Sequence, residues 1–311
     1  MVRTLNLIWI LNLMLILSGC FSFNVQGEKF SCHIIDVGQG SATLFTYQQK
    51  TILIDTGYEH QKFQTYIENF CDANSITCID YVIITHPDQD HINNTKWLYD
   101  NYQINYSYLP CVMADTPLSD KDGFTPIIKK DTKVYKTCIE SVVSEPNSTW
   151  EYLTDDDIND INGFLIYQSD KFDWLDVNDF SPIIFFIGNK SNIVCISGDA
   201  TTMKEKWYCA NSSKKITVKY YITGHHGSQY SSCDEFVSLL QPQYAIYSSN
   251  DSNGLYGHPH INTLTRISKY TRNIYGTEYN GHIELTQMGI LGDLINTTTG
   301  WTNKNGERIT F

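Results

Sequence analysis

Four potential metal ligands fall within six residues at His86-Pro87-Asp88-Gln89-Asp90-His91. Mixed imidazole and carboxylate donors suit zinc or manganese better than calcium, whose sites are built from oxygen. His86 with Asp88, and Asp90 with His91, could serve two adjacent divalent ions. A dinuclear site needs further donors, and two other stretches offer them. Gly198-Asp199 supplies a carboxylate that could bridge both ions, and Gly224-His225-His226-Gly227-Ser228 supplies adjacent imidazoles. The chemistry open to such a centre is hydrolysis, in which two dications lower the pKa of a water and neutralise developing charge.

Each of these stretches follows a β-type run. Residues 81–85 lead into His86, residues 193–197 into Gly198-Asp199, and residues 217–222 into the paired histidines. A loop leaving a strand end can turn alternate side chains to one side, so the order of the runs is what must bring the donors together. Upstream, residues 30–36, 42–47 and 51–55 read as sequential paired strands, separated by Gly38-Gln39-Gly40 and by Gln48-Gln49. Residues 61–70 place Phe63, Tyr66, Ile67 and Phe70 on one helical face. A further helix is expected at 94–102, strands at 183–187 and 244–248, and helices at 201–209, 233–240 and 262–270. Alternating strands and helices predict an α/β domain.

The chain has 311 residues, with 22 basic against 34 acidic ones and a formal charge of -12, which excludes a broad cationic surface for nucleic acid. Residues 1–27 stand apart from the fold. Arg3 precedes an apolar run, and no further charge appears until Glu28; that is the shape of a secretory signal or an N-terminal anchor. The run ends in Leu17-Ser18-Gly19-Cys20, which resembles a bacterial lipobox with Cys20 as the lipidated residue. A secreted or extracytoplasmic protein, touching membrane only through this segment, is the expectation. Eight later cysteines are compatible with disulfides in an exported chain. Residues 28–311 read as one domain with an irregular insertion around 112–180, whose Asp155-Asp156-Asp157 run reads as a solvated turn.

Taken in order, Asp36-Val37-Gly38-Gln39-Gly40, Leu53-Ile54-Asp55-Thr56-Gly57, the His86 to His91 cluster, Gly198-Asp199-Ala200, His225-His226-Gly227-Ser228 and Gly257-His258-Pro259 resemble the metallo-β-lactamase superfamily. Within it they resemble the hydrolase domain of the ComEC competence proteins, and the phosphorylcholine esterases share most of the same motifs. The resemblance implies a four-layer αββα sandwich with two metal ions, zinc or manganese, at one edge of its sheets. Carried over residue by residue, it implies His86, Asp88, Asp90, His91, Asp199 and His225 as ligands, with His226 next as a ligand or catalytic group. Asp55 would brace the site by hydrogen bonds. Asp36 ends the first strand, while Gly38 and Gly40 permit a tight turn.

Two departures matter. Many members of the wider superfamily carry a histidine between the first cluster and the bridging aspartate, and here none occurs between His91 and His225. One metal position is therefore short of a ligand, to be completed by water, by His226 or by substrate. Ile92-Asn93-Asn94 also replaces the glycines usual in ComEC-like members. The missing histidine and Asp88 argue against β-lactam hydrolysis. The expected reaction is metal-assisted hydrolysis of a phosphodiester, DNA among the candidates. Asp90 would orient water or accept its proton, and His226 or His258 would stabilise the phosphoryl group or protonate the leaving oxygen. Hydrolysis of phosphorylcholine on a surface polymer and a non-catalytic, metal-stabilised binding module are the alternatives. His33, His60 and His282 are expected to be structural or exposed, and His260 to face away from His258.

Overall fold

The computed structural model describes residues 30–111, 132–153, 161, 163–168, 176–188, 194–212, 216–251, 254–287 and 293–297. Residues 1–27 with Cys20, and the Asp155 to Asp157 run, lie outside them. The chain opens with a meander of β1 (Phe30–Ile34), β2 (Thr43–Tyr47) and β3 (Lys50–Ile54). Tyr47 faces Lys50 across a two-residue turn, and Gln48 and Gln49 both take positive φ, 49° and 63°. That backbone matches the right-handed twist of a hairpin, so the turn forms even without the usual glycine.

Helix α1 (His60–Asn74) buries Phe63, Ile67 and Cys71, spaced four residues apart, and so presents one apolar stripe. β4 (Cys78–Ile83) runs parallel to β3. The short helices α2 (Gln89–Ile92) and α3 (Thr95–Asn101) then lead to β5 (Gln103–Pro110), parallel to β4. Residues 112–180, irregular by sequence, contain regular elements among the described residues: α4 (Lys133–Val143), β6 (Thr149–Leu153) and β7 (Phe164–Tyr167). β6 is the edge of the first sheet and β7 the edge of the second.

The second sheet continues with β8 (Ile183–Phe186), β9 (Val194–Ile196), β10 (Tyr220–Ile222), β11 (Tyr244–Tyr247) and β12 (Ile274–Gly276). Helices α5 (Thr202–Asn211), α6 (Asp234–Leu240) and α7 (Ile261–Ile267) connect its parallel strands. After α8 (Thr277–Asn280), β13 (Ile283–Gln287) returns to pair with β1, and β14 (Asp293–Thr297) closes that edge. The first sheet has the order β14-β13-β1-β2-β3-β4-β5-β6, the second β12-β11-β10-β9-β8-β7.

Alternation along the strands sorts their side chains into layers. Phe45, Ile54 and Ile83 of the first sheet pack between the sheets against Ile184, Phe186, Ile196 and Ile222. Their neighbours Leu44, Leu53 and Val82 turn outward onto Phe63, Ile67, Leu98 and Val142 of the helices. On the far side Phe185, Cys195 and Tyr221 meet Tyr208, Phe236 and Leu264. Helices cover both outer faces of two stacked mixed sheets, which is the four-layer αββα order. All eight cysteines beyond residue 30 are free thiols. Among the described residues no helix is long and apolar enough to cross a membrane.

Candidate metal centre

The C-terminal ends of β4, β9, β10 and β11 open onto one edge of the sandwich, where loops are free to converge. His86 follows β4. Asp88 is the N-cap of α2, so its single turn carries Asp90 and His91. The backbone of that turn is docked on the first meander: Ser41 N–H donates to the Asp90 carbonyl at 3.1 Å and Thr56 N–H to the His91 carbonyl at 2.6 Å. Gly40 allows this contact, since a Cβ there would lie 2.5 Å from the Asp90 carbonyl oxygen. Its φ is not positive, so the requirement is close approach; only Gly38 (φ 75°) meets the expectation of a turn glycine.

Asp199, leaving β9, stands at the middle. Its Oδ1 lies 3.0 Å from His91 Nε2 and 3.6 Å from His226 Nε2, and its Oδ2 lies 3.7 Å from His225 Nε2. Asp90 Oδ2 approaches His226 Nε2 at 3.2 Å. Ligand atoms of Asp90, His91, Asp199 and His226 all fall within 4.8 Å of one another. His86 Nε2 is 3.4 Å from Asp88 Oδ2, and its ring meets that of His91 edge-on at 4.3 Å.

Hydrogen bonds fix which nitrogens are open. His91 Nδ1 donates to Asp55 Oδ2 at 2.7 Å, and Asp55 also accepts from Thr85 N–H at 2.8 Å and the Thr85 hydroxyl at 2.7 Å. His226 Nδ1 donates to the Ser248 carbonyl at 2.8 Å. Both rings therefore keep a lone pair on Nε2, the arrangement that orients metal-binding histidines. His86 Nδ1 and Nε2, His91 Nε2, Asp199 Oδ1, His225 Nδ1 and His226 Nε2 are buried without a hydrogen-bond partner. Orphaned buried polar atoms are costly; a divalent cation would take up His91 Nε2, His226 Nε2 and Asp199 Oδ1, together with one nitrogen of His86. The residues fit a metal.

The backbone at the paired histidines is strained. His225 and His226 both take left-handed φ, 50° and 55°, at a cost of about 1–2 kcal/mol each. Tertiary bonds hold them there: His225 N–H donates to the Gly198 carbonyl at 2.9 Å, and the Ser231 hydroxyl to the Gly224 carbonyl at 2.7 Å. Successive left-handed residues fan the two rings apart, 75° between planes, and bring them to different oxygens of one carboxylate.

Burial disfavours charge on His91, but Asp199 and Asp55 outweigh it and raise its pKa well above the imidazole value. His226 is raised against burial by Asp199 and Asp90. Asp199, also buried, is held well below the carboxylate range by His91, His226 and His225. His225 is lowered by burial, and His258 is lowered to about 4 by burial and then by His226 and His225. His91 and His226 thus favour the protonated form beside Asp199 and Asp90, whereas His225 and His258 favour the neutral one. A divalent cation held by these donors would replace that positive charge and release the protons.

The candidate residues thus divide. Asp90, His91, Asp199 and His226 form one group, and His225 stands at the second oxygen of Asp199 rather than within it. His86 and Asp88 pair beside His91. His258 lines the same cleft, its ring 5.4 Å from His225 and 6.2 Å from His226. Asp55 touches the group only through His91. Asp36 pairs with Lys62 at 3.1 Å, away from the cleft. His33 is bonded to Ser31 and Tyr66, His60 to Asn94, and His260 caps α7. Sequence reasoning gave no role to Gln39, Tyr58, Ser248 or Tyr256, all beside the centre. Gln39 was visible only as the middle of a glycine turn.

The cleft has a volume of about 620 Å³. Tyr58, Leu255 and Tyr256 line it with much of their side chains exposed, and among the described residues none that lines it is lysine or arginine. Asp251 shapes that rim, accepting backbone N–H bonds from Leu255, Tyr256 and Gly257 at 2.8, 2.9 and 2.5 Å.

Residues 35–110 match the family model described as the metallo-beta-lactamase superfamily. The chain is 27% identical over 290 residues to "ComE operon protein 3" of Bacillus subtilis (strain 168), covering 88% of this chain and 35% of that protein. It is 26% identical over 254 residues to "Recombination protein 2" of Haemophilus influenzae, covering 81% of this chain and 28% of that one. The chain spans about a third of the length of these relatives. Among solved structures, the metallo-beta-lactamase fold protein YhfI of Bacillus subtilis aligns with a TM-score of 0.47 at 11% identity, over 80% of this chain and 95% of that one. Residues 35–110 are thus similar to the metallo-beta-lactamase superfamily and most of the chain is distantly similar to part of the competence-type relatives, and the described residues hold a His/Asp group that could bind metal.

Proposed function

We propose that the protein is a dinuclear metal-dependent phosphodiesterase. The observation that carries this reading is the division of Asp199, whose Oδ1 faces His91 and His226 while Oδ2 faces His225. Asp90, His91 and His226 would hold one ion and His86, Asp88 and His225 the other, with Asp199 between them. Zinc or manganese there supplies Lewis acidity and the lowered water pKa that hydrolysis at neutral pH requires. Asp90, whose carboxylate also lies beside His226, orients the attacking water or accepts its proton. His258 is neutral at pH 7 and donates a hydrogen bond to the phosphoryl or leaving oxygen. The exposed rings of Tyr58 and Tyr256 offer faces on which unpaired bases of a DNA strand stack.

A small diester bearing an ammonium group, as in phosphorylcholine, is the second reading. A cleft whose described lining includes Glu59 and two exposed tyrosines but no lysine or arginine favours a cation at the rim over a run of phosphates. Residues 1–27 make this an exported or anchored enzyme in either reading, which N-terminal sequencing of the mature chain checks.

Metal analysis coupled to turnover tests the proposal: single-stranded DNA, duplex DNA, RNA and small diesters with and without an ammonium group are offered to the metal-loaded protein. Two ions per chain with hydrolysis of at least one diester class is the expected result. Stoichiometric metal with no turnover on any of them identifies a metal-stabilised binding module instead.

A further inference from the structure

We propose that Gln39 is a positioning residue that fixes the tautomer of His258, so that His258 presents an Nε2–H donor beside the metal cluster. The inference deepens the phosphodiesterase reading and rests on it. Gln39 Nε2 lies 3.2 Å from His258 Nδ1, and the Ser249 hydroxyl donates to Gln39 Oε1 at 2.9 Å. With Oε1 engaged by a hydroxyl donor, the amide directs its own N–H toward Nδ1. An imidazole nitrogen that accepts leaves the ring hydrogen on the other nitrogen. His258 is then a donor at Nε2, 219 residues from the side chain that decides it.

The surroundings hold both partners in place. Gln39 sits in the β1–β2 loop, whose next residue is packed on the Asp90 carbonyl and whose Gly40 carbonyl accepts from the Ser248 hydroxyl at 2.8 Å. The one hydrogen of the Ser249 hydroxyl is shared between Gln39 Oε1 and the His258 carbonyl, the latter at 3.1 Å, and the His258 ring lies beside those of Tyr256 and His226, with centroids 6.1 and 6.2 Å away. One loop therefore seats the metal-binding turn and orients the neighbouring donor. That donor matters because, among the described residues, none lining the cleft is a lysine or arginine that could meet a phosphoryl oxygen. Had Gln39 placed its carbonyl on Nδ1, the ring hydrogen would sit there, and Nε2 would face the cleft as a lone pair with nothing to donate.

The test reads the tautomer directly. In protein with ¹⁵N-labelled histidines, near pH 8 where a free imidazole is neutral, long-range ¹H–¹⁵N correlations distinguish a protonated from an unprotonated ring nitrogen. His258→Gln assigns the signals. The wild type is expected to show Nε2–H and a bare Nδ1; a protonated Nδ1 overturns the proposal, whether or not any variant folds. In Gln39→Glu the carboxylate accepts from Nδ1 and reverses the tautomer. Its kcat on the best diester is expected to fall roughly 10- to 100-fold with KM and metal content unchanged, and adding His258→Gln should lower it little further. Wild-type kcat in a variant with reversed tautomer also overturns the proposal. A protein that hydrolyses no diester defeats the proposed function, whereas the tautomer measurement still decides the role of Gln39.

Discussion

His91 Nδ1 and Asp55 Oδ2 lie 2.7 Å apart, both fully buried, joining the metal-binding turn to the end of β3. The carboxylate leaves His91 one usable lone pair, at Nε2. Asp55→Asn can turn an amide N–H toward Nδ1 and put the ring hydrogen on the ligand side. Metal affinity should fall about 10- to 100-fold with little loss of helical signal, as read by titration against a competing chelator. Undiminished affinity would reduce Asp55 to a turn residue.

His225 and His226 serve different oxygens of Asp199, so their removal should be separable. His226→Ala empties the position shared with Asp90 and His91, and His225→Ala the one beside His86 and Asp88. Each variant should keep about one ion of two, and the two should differ in the spectrum of a bound cobalt probe because their remaining donors differ. Indistinguishable cobalt spectra would mean that the rings share one ion.

Gly40 allows the close approach of two loops. Gly40→Ala brings a methyl group to 2.5 Å from the Asp90 carbonyl, and backbone must shift to relieve it. A loss of about 1–3 kcal/mol in stability, together with weaker metal binding, is the expected outcome. Denaturant curves with and without metal measure both. A variant as stable and as tightly metallated as the parent contradicts this account of the glycine.

Glu205 predicts an unusual pH dependence. It is fully buried behind the paired-histidine loop, accepting from Ser232 and Cys233 N–H at 2.6 and 2.7 Å. Burial pushes its carboxyl up to about 7, with those two bonds and Arg266 pulling back only in part. Between the ordinary value of 4.5 and about 7 the native state binds more protons than the unfolded chain, so stability falls as pH rises through that window, by about 3 kcal/mol. His33 has the opposite sign: burial, then His282, holds it at about 4, and its contribution is lost as pH falls from 6.5. Comparing Glu205→Gln with the parent at each pH cancels the His33 term. A parent-minus-variant difference that does not change between pH 4.5 and 7 would show that Glu205 ionises normally.

The donor stretches were legible because each stands at the end of a buried parallel strand, where a hydrophobic run stops abruptly at histidine or aspartate. β5 was not. Its Ser107 is buried by a bond to the Tyr99 hydroxyl, and that tertiary contact hides the strand from a hydropathy pattern. β12 was not legible either: its Ile274-Tyr275-Gly276 run follows Arg272-Asn273 and stops at glycine, with no longer apolar stretch around it. The relative placement of His225 and His226 depends on two left-handed residues held by Gly198 and Gly224, which no local pattern encodes. The histidine absent between His91 and His225 left one position short of a donor in the sequence; His226, one of the groups expected to complete it, stands with Asp90, His91 and Asp199, while His225 lies at the second oxygen of Asp199. Gln39 was invisible as a side chain with a task because its partner lies in the far half of the chain.

The split of the donors between sheets also has a consequence in time. Asp90 and His91 follow β4, whereas Asp199 and the paired histidines follow β9 and β10. During synthesis the ion pocket does not exist until residue 226 has been made and the two sheets have met. A metal ion would then be selected wherever the chain completes folding, in proportion to the ions free there. Metal seated there would rivet one sheet to the other, and opening the sandwich at that edge would require expelling it.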